Sequence, residues 1–568
     1  MKLQNFFQLA FIFLFAALVL VSCKDDEDDK KMPEASFTFS PASPQVGETV
    51  TFTNTSKDAD SYTWSATGVA VNSDPFSSTE TSPTFTFTTA GSVEVTLTAT
   101  NSEGSNSSTQ TITVAEQGDG GGDGGGNTNN PPASNYTATT DAATGLTGFR
   151  IAPSTEGIGD VAVTWTANNV WILDGFIFVN EGQTLTIEAG AVIKGSTGQG
   201  ENAAALVVAR GGKVIAEGTA TTPIIFTAEA DNLNGNLGAD ESGLWGGLII
   251  LGKAGLNSTP GESAIEGIPT TETRGLYGGT DDADNSGVYR YISVRHGGSD
   301  IGAGNEINGV TFGGVGTGTT VEYIEVYANK DDAFEWFGGT VNAKYLVAAA
   351  CGDDNFDYDE GFRGNVQFGL IYQRPDLGDR GGEHDGGTDP EDGTPYALPQ
   401  FFNITSVGAV VANDGNRALT FRDNAGGEYH NSVFVSWGKG IDIEFLASGE
   451  SSYKRFQAGE LKLMNNTFVD VAGNDAAEIF AIATVEGKEP TDAELVAAQA
   501  DVLASFAANG NTVGTLGLSR SNLVPSEAGG ATSTPTNSFF TNTSYRGAFA
   551  VGSTPWYAGW TATEGFIQ

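Results

Sequence analysis

Cysteine is nearly absent from this chain: Cys23 and Cys351 are the two in 568 residues. That excludes a disulfide framework, so each folded part must be held by its own core. Histidine is as scarce, with His296, His384 and His430 alone. So few imidazoles and thiols argue against a transition-metal centre, whose ligands they would be. Basic side chains are few as well. Lys and Arg number 27 against 70 Asp and Glu, a formal charge of -43. A surface of that sign repels phosphate backbones and anionic lipid headgroups, which argues against nucleic acid as a partner. It suits metal cations or plain solubility. Past the leading residues, no apolar run is long enough to span a bilayer.

What is abundant is glycine, 77 residues, beside 39% apolar residues. That suits an all-β chain with real cores and many tight turns. The length implies at least two folded units. Residues 1–22 read as a signal peptide, with Lys2 ahead of an apolar run from Phe6 to Val21. The run ends in "LVSC", which resembles a bacterial lipobox. The resemblance implies cleavage before Cys23 and lipidation of that cysteine, with the membrane reached through acyl chains alone. "KDDEDDKK" follows and makes residues 23–33 an acidic tether. It resembles the export signal that sends some Gram-negative lipoproteins to the cell surface. The location this implies is the outer membrane, lipid-anchored and facing the exterior.

Residues 34–115 alternate apolar and small polar residues in short runs, among them "ASFTFS", "TVTFTNTS", "SYTWSATG" and "VEVTLTATN". Gly, Pro, Asn and Ser separate the runs. This is the pattern of half-buried strands in an Ig-like sandwich, with Trp64 as the expected core aromatic. The stretch resembles a PKD domain. "SYTWSATG" stands at that family's Tyr-x-Trp strand, and "GSVEVTLTATNSEGSNSSTQTITV" at its last two strands. The family's Asp-Phe-Gly-Asp-Gly turn is replaced by "SATG", which removes any turn-based contact without touching the fold. The resemblance implies a spacer first, a glycan or protein binder second. Residues 116–134, with "GDGGGDGGGNTNNPP", read as a flexible Gly-rich linker.

Residues 135–568 read as strand, turn and strand throughout. "GQTLTIEAGAVIKG", "AALVVARGGKVIAEGTATTPIIFTA" and "GLWGGLIILGKAGLN" resemble the first coils of right-handed parallel β-helices. Further on, "KDDAFEWFGG" (330–339) returns as "GDDNFDYDEG" (352–361). A step of 22 carries Asp331 to Asp353, Asp332 to Asp354, Phe334 to Phe356, Glu335 to Asp357, Trp336 to Tyr358, and Tyr323 to Tyr345. The same step would carry Asp354 to Asp376 and Asp357 to Asp379, and later Leu419 to Ile441. A fixed period of this length is a solenoid signature, with equivalent residues stacked at about 4.8 Å. The expected fold is therefore all-β: a small PKD-like sandwich, a Gly-rich linker and a right-handed parallel β-helix. Two insertions interrupt the period. Residues 257–287 are expected to form a loop. "KEPTDAELVAAQADVLASFAANG" is expected to form a helix, with a Thr491/Glu494 capping box and an apolar face of Leu495, Val502 and Phe506. Cys351 is expected to be a free, inert thiol.

Alternation puts Phe334, Trp336, Phe356 and Tyr358 in the core. Glu335, Asp357 and Asp359 are then expected to face outward, and Asp331, Asp332, Asp353 and Asp354 to sit at the turn. Aligning "YRYISVRHGGSD" with "VEYIEVYANKDD" adds Asp300 to the ladder. Carboxylates stacked this closely repel by about 1 kcal/mol per pair even in water-like surroundings. Raised pKa values, neighbouring cations (Lys330, Arg363, Arg380) or a bound metal must offset that. An all-oxygen set suits a hard cation, Ca²⁺ above all. The candidate ligands are Asp331, Asp332, Glu335, Asp353, Asp354 and Asp357.

The catalytic candidates are Arg363 and Arg380, as bases beside the ladder, together with Asp357 and His384. His384 lies in sequence among Glu383, Asp385 and Asp379, and is expected to be biased towards its charged form. "CGDDNFD" resembles the Gly-Asp-Asp of polygalacturonase-like hydrolases. That family's later Gly-His-Gly and Arg-x-Lys stretches are missing, so no catalytic role is carried over. The expected function is binding of an extracellular ligand, a glycan first, through an acidic, calcium-loaded face of a surface lipoprotein. A polysaccharide lyase or glycoside hydrolase on the same helix is the alternative, and a structural or adhesive surface protein is the third reading.

Overall fold

Two strand patterns set the architecture, and they fall in separate units, Met1–Thr128 and Asn129–Gln568, of this computed structural model. The structure describes residues 31–40, 44, 49–68, 77–87, 91–114, 133–302, 305–377, 379–387, 390–409 and 416–567. The assignments of residues 1–22, of Cys23 and of most of the linker fall outside them.

In the first unit, period-2 alternation produces two antiparallel sheets. One holds Phe37–Ser40, Thr49–Asn54 and Thr84–Thr86, the other Ser77–Ser78, Ser61–Gly68, Gly91–Asn101 and Gly104–Val114. Alternate apolar side chains of the longer strands point into a shared core that includes Phe37, Phe52, Trp64, Val95 and Leu97. Trp64 is fully buried, 5.0 Å from Phe37 and 5.6 Å from Phe52 between ring centroids. Its Nε1–H donates to Glu80 O at 3.0 Å, so the polar edge of the indole is satisfied.

The second unit is a parallel β-helix. Strands pair in parallel from coil to coil in a ten-stranded sheet that runs from Phe176–Val179 to Phe480–Ala483. A larger sheet bends around the other faces. The bend lies inside single long strands: Gly287–Arg295, Thr320–Tyr327, Asn342–Ala349, Asn365–Tyr372 and Gln400–Val407. Each turns at one left-handed residue, Tyr291, Tyr323, Tyr345, Phe368 and Asn403, with φ of 50, 57, 61, 62 and 58°. A non-glycine residue there is disfavoured by about 1–2 kcal/mol. Stacking opposes that cost, with centroid separations of 4.3 Å for Tyr291–Tyr323, 4.2 Å for Tyr323–Tyr345 and 5.0 Å for Tyr345–Phe368.

Like residues also stack within the core. Phe312, Trp336 and Phe362 lie in near-parallel layers, 5.7 and 5.3 Å apart. Each such buried side chain contributes about 1.5–3 kcal/mol of transfer free energy. Cys351 is a buried free thiol, pushed up to about 12 by burial.

Phe334 pairs with Phe356 and Trp336 with Tyr358, the 22-residue step read from the sequence. One coil later the step is 26: Asp357 pairs with Glu383 and Tyr358 with His384. The expected partners Asp379 for Asp357 and Asp376 for Asp354 are therefore displaced, because extra residues lengthen the turn before the strand Gly382–Asp385. Asp376 instead pairs with Arg374 at 2.7 Å.

The coils also end earlier than residue 568. The last strand is Thr512–Val513, and after it the described chain has one short helix, Thr563–Phe566, and no strand. This tail runs back along the bend ladder. Asn403 Nδ2 donates to Thr543 Oγ1 and to the carbonyls of Tyr545 and Gly547, and Trp560 meets the Tyr291 ring edge-on at 5.5 Å. The helical insertion forms over Asp492–Ala508 with its Thr491/Glu494 capping box, and it buries Ala498, Val502 and Phe506.

Candidate metal centre

The acids gather where the ten-stranded sheet meets the turn before it. Strands Phe334–Phe337, Phe356–Asp359 and Gly382–Asp385 place Glu335, Asp357 and Glu383 in register on one face. One turn earlier, Asp332 and Asp354 form a hydrogen-bonded rung. Asp354 N–H donates to Asp332 Oδ1 at 2.8 Å, and Arg380 N–H donates to Asp354 Oδ1. Asp331 and Asp353 flank them. Carboxylate oxygens of Asp331, Asp332 and Asp353 lie within 4.8 Å of one another, as do those of Asp332, Glu335 and Asp357. Two further triads, Asp353/Asp354/Asp379 and Asp354/Asp357/Glu383, meet the same limit. All six ligand candidates are thus in one cluster.

Burial distinguishes this cluster from the outward face expected of it. Glu335 is 8% exposed, Asp332 6% and Asp354 1%. The reason is the 257–287 insertion, which folds over the sheet and brings Glu266 to the ladder. Asn308 Nδ2 donates to both Glu335 Oε2, at 2.5 Å, and Glu266 Oε1, at 3.1 Å. Asp353 remains exposed and connects the first triad to water. Asp300 is not a rung. It lies in a small exposed hairpin with Glu306, and Asn308 takes the place before the next strand.

Burial and mutual repulsion raise every carboxyl in the set. Asp331 is pushed up to about 7 by burial and by Glu266 and Asp353. Asp332 rises well above the carboxylate range through burial and Asp354, and Glu335 through burial and Glu266. Asp354 and Asp357 do the same through burial first, and then through repulsion by Glu383 and Glu335 respectively. Asp353, whose side chain still meets water, is also raised, by partial desolvation and then by Asp379.

Among the described residues, Arg ion pairs form at one end of the cluster. Arg380 Nη1 lies 3.1 Å from Asp354, 2.9 Å from Asp379 and 3.0 Å from Glu383. Arg422 adds pairs to Glu383 at 2.8 Å and Asp385 at 2.7 Å. Lys330 pairs with Glu306, at 2.5 Å. Among the described residues no Lys or Arg forms an ion pair with Asp331, Asp332, Glu335 or Asp357. Asp357 Oδ1 is buried without a hydrogen-bond partner.

The other candidates separate from the cluster. His384 is not a charged loop histidine. It is fully buried, stacked 4.3 Å from Tyr358, with Nε2 2.8 Å from Tyr429 Oη. Burial pushes it down to about 3, so it is neutral. Arg363 pairs with Asp282 of the insertion at 3.0 Å, away from the rungs. Arg380 is in the cluster as a counter-charge. Burial opposes its charge, but Asp354, Glu383 and Asp379 overcome that and raise its pKa.

Sequence reasoning missed Glu266 and the rung role of Glu383. Glu383 was findable by aligning "FDYD" with "GEHD" on their inward aromatic and histidine positions. Glu266 carries no periodic signal, because it comes from an insertion.

A PKD-type sandwich and a parallel β-helix with an acid-lined sheet define a modular, mostly β protein of the pectate-lyase-like architecture. The chain belongs to the pectate-lyase-like β-helix domain family, which it matches over residues 157–514, and carries a PKD domain at residues 35–114. No curated protein matches it. Among solved structures it is similar to the PKD1 domain of Vibrio anguillarum Epp, at 28% identity over 16% of this chain and 100% of that one, with a TM-score of 0.13. It is also similar to a chain from a study of promiscuous carbohydrate-binding modules of the β-sandwich superfamily, at 27% identity, 20% and 44% coverage, and a TM-score of 0.14. A third similarity is to the Dettilon tailspike protein, at 10% identity, 57% and 62% coverage, and a TM-score of 0.20. The chain thus spans less than two thirds of the latter two.

Proposed function

We propose that the protein is a surface lipoprotein that binds an extracellular ligand, a glycan first, at a β-helix face loaded with a hard cation such as Ca²⁺. The observation that carries this reading is the unneutralised end of the ladder. Asp331, Asp332, Glu335, Asp353 and Asp357 converge their oxygens there, and the nearby guanidiniums are committed to the other end. Buried carboxylates in such numbers stay protonated or take up a cation. An all-oxygen donor set with the buried, partnerless Asp357 Oδ1 fits Ca²⁺ better than softer metals. The cation would be held by Asp331, Asp332 and Asp353, or by Asp332, Glu335 and Asp357. When bound it supplies a positive centre for sugar hydroxyls or carboxylates.

Binding is favoured over the lyase reading by the state of the base candidates. Arg380 is tied to three carboxylates, and His384 is sealed in the core. The anchor part of the reading rests on "LVSC" and "KDDEDDKK". Among the described residues no helix is long and apolar enough to cross a membrane. A glycan array probed with and without EDTA, and assayed for released product, tests the function. Calcium-dependent retention of intact glycan is expected. Product release would establish the enzyme reading instead, and retention indifferent to EDTA would remove the cation from it.

A further inference from the structure

In this acidic chain arginine usually meets a carboxylate. Arg150, Arg290, Arg374, Arg380 and Arg422 each sit within ion-pair reach of Asp or Glu. Arg520 does not follow the rule. It stands in a tight turn closed by reciprocal main-chain bonds between Ser519 and Asn522, 3.0 Å each. Its guanidinium donates to Gly408 O and, at 2.7 Å, to Gln373 O, and lies 4.8 Å from the Tyr372 ring centroid. Burial lowers its pKa, and the phenol of Tyr372 is the group acting against that. No carboxylate of the described residues pairs with it. Two of its five N–H donors go to these carbonyls and a third faces the Tyr372 hydroxyl, which leaves two for a partner.

Arg520 lines an open cleft of about 720 Å³ together with Tyr372, Ser436, Ser519, Ser521 and Phe566. The Ser519 and Ser521 hydroxyls are 3.2 Å apart and exposed. Phe566 packs edge-on to Tyr372 at 5.6 Å and remains partly exposed. The cleft therefore combines a forked cation, three serine hydroxyls, the Tyr372 phenol and an aromatic wall, with no acid among these residues. Ser519, Arg520, Ser521 and Phe566 all lie beyond residue 514, where the match to the β-helix family ends.

We propose that this cleft binds the anionic group of a sugar, a carboxylate or a sulfate ester, with Arg520 as its fork and the ring against Phe566. A planar guanidinium matches either group through paired N–H···O bonds, and neighbouring hydroxyls complete the shell. The net charge of -43 repels any approaching anion, so affinity must come from contact geometry and not from steering. The site is built by the tail and does not rest on a cation in the acid ladder.

The test is calorimetric titration in EDTA with D-glucuronate, N-acetylglucosamine 6-sulfate and, as the neutral control, glucose. A charged sugar should bind at one site per chain, at least about tenfold tighter than glucose, the scale of one charge-assisted contact. Preference for glucuronate assigns the carboxylate, and preference for the sulfated sugar assigns the ester. Arg520→Gln should abolish the preference and Arg520→Lys should keep part of it. Should Arg520→Gln fail to fold, Ser521→Asp places a carboxylate beside the guanidinium and should block binding. The proposal is overturned if neither charged sugar binds better than glucose, or if Arg520→Gln or Ser521→Asp binds as wild type does.

Discussion

Asp332 is pressed by burial, by Asp354 and by Asp331, and each of these favours its protonated form. The sign of the pH dependence follows. Without a cation the folded ladder holds protons that the unfolded chain releases above its ordinary carboxylate pKa. Stability from these groups is complete below that value and is lost as pH rises through the folded one, about 7 for Asp331. In EDTA the melting temperature should therefore fall between about pH 4.5 and 7.5, and a flat or rising profile would contradict the raised values. Glu428 works the other way. The His430 hydrogen bond, then Lys462, holds it at about 2, so its contribution is lost only as pH falls below the ordinary carboxylate range. A second test concerns Lys194, fully buried, whose Nζ lies 2.7 Å from Asp141 and also donates to Asp231 O. Lys194→Met leaves Asp141 buried and unpaired, and should cost about 3–5 kcal/mol in urea unfolding. Adding Asp141→Asn should recover part of that.

The bend ladder changes chemistry along the β-helix. Tyr291, Tyr323, Tyr345 and Phe368 present rings, whereas Asn403, Asn431 and Asn465 present amides in the same left-handed conformation. The tail is matched to both, with Trp556 and Trp560 over the rings and main-chain acceptors over the amides. Asn403→Ala removes three donated bonds and leaves a side chain that adopts φ of 58° less readily. It should loosen the tail by about 1–3 kcal/mol, seen as faster amide exchange around residues 543–547 with the coils unchanged. Thr491→Ala, which removes the helix cap, should cost about 1 kcal/mol in thermal unfolding. Legibility at this scale followed periodicity. The step from "FEWF" to "FDYD" was readable because inward aromatics and the acids alternating with them recur together. The next step was lost because a lengthened turn moves Glu383, not Asp379, opposite Asp357. The tail was invisible because its bonds reach 140 residues or more back to Asn403, with no repeat to mark them. The burial of Glu335 was invisible for a related reason, since a non-periodic insertion supplies the cover.

At the scale of the whole molecule, a charge of -43 leaves far more carboxylates than basic partners, and the ladder concentrates part of that excess. A cation bound only by the folded β-helix adds RT ln(1 + [L]/Kd), about 2.7 kcal/mol at a hundredfold excess over Kd. It would also remove the pH-dependent loss described for Asp331 and Asp332, because the ionised form is the one that binds. The most direct measurement is thermal melting near neutral pH in calcium and in EDTA, for wild type and for Asp332→Asn combined with Glu335→Gln. Wild type should melt higher in calcium, and the double variant should melt at one temperature in both buffers, at or above wild type in EDTA. A wild type that melts identically in calcium and EDTA, or a double variant that gains as much from calcium as wild type does, would contradict the ladder as a cation site.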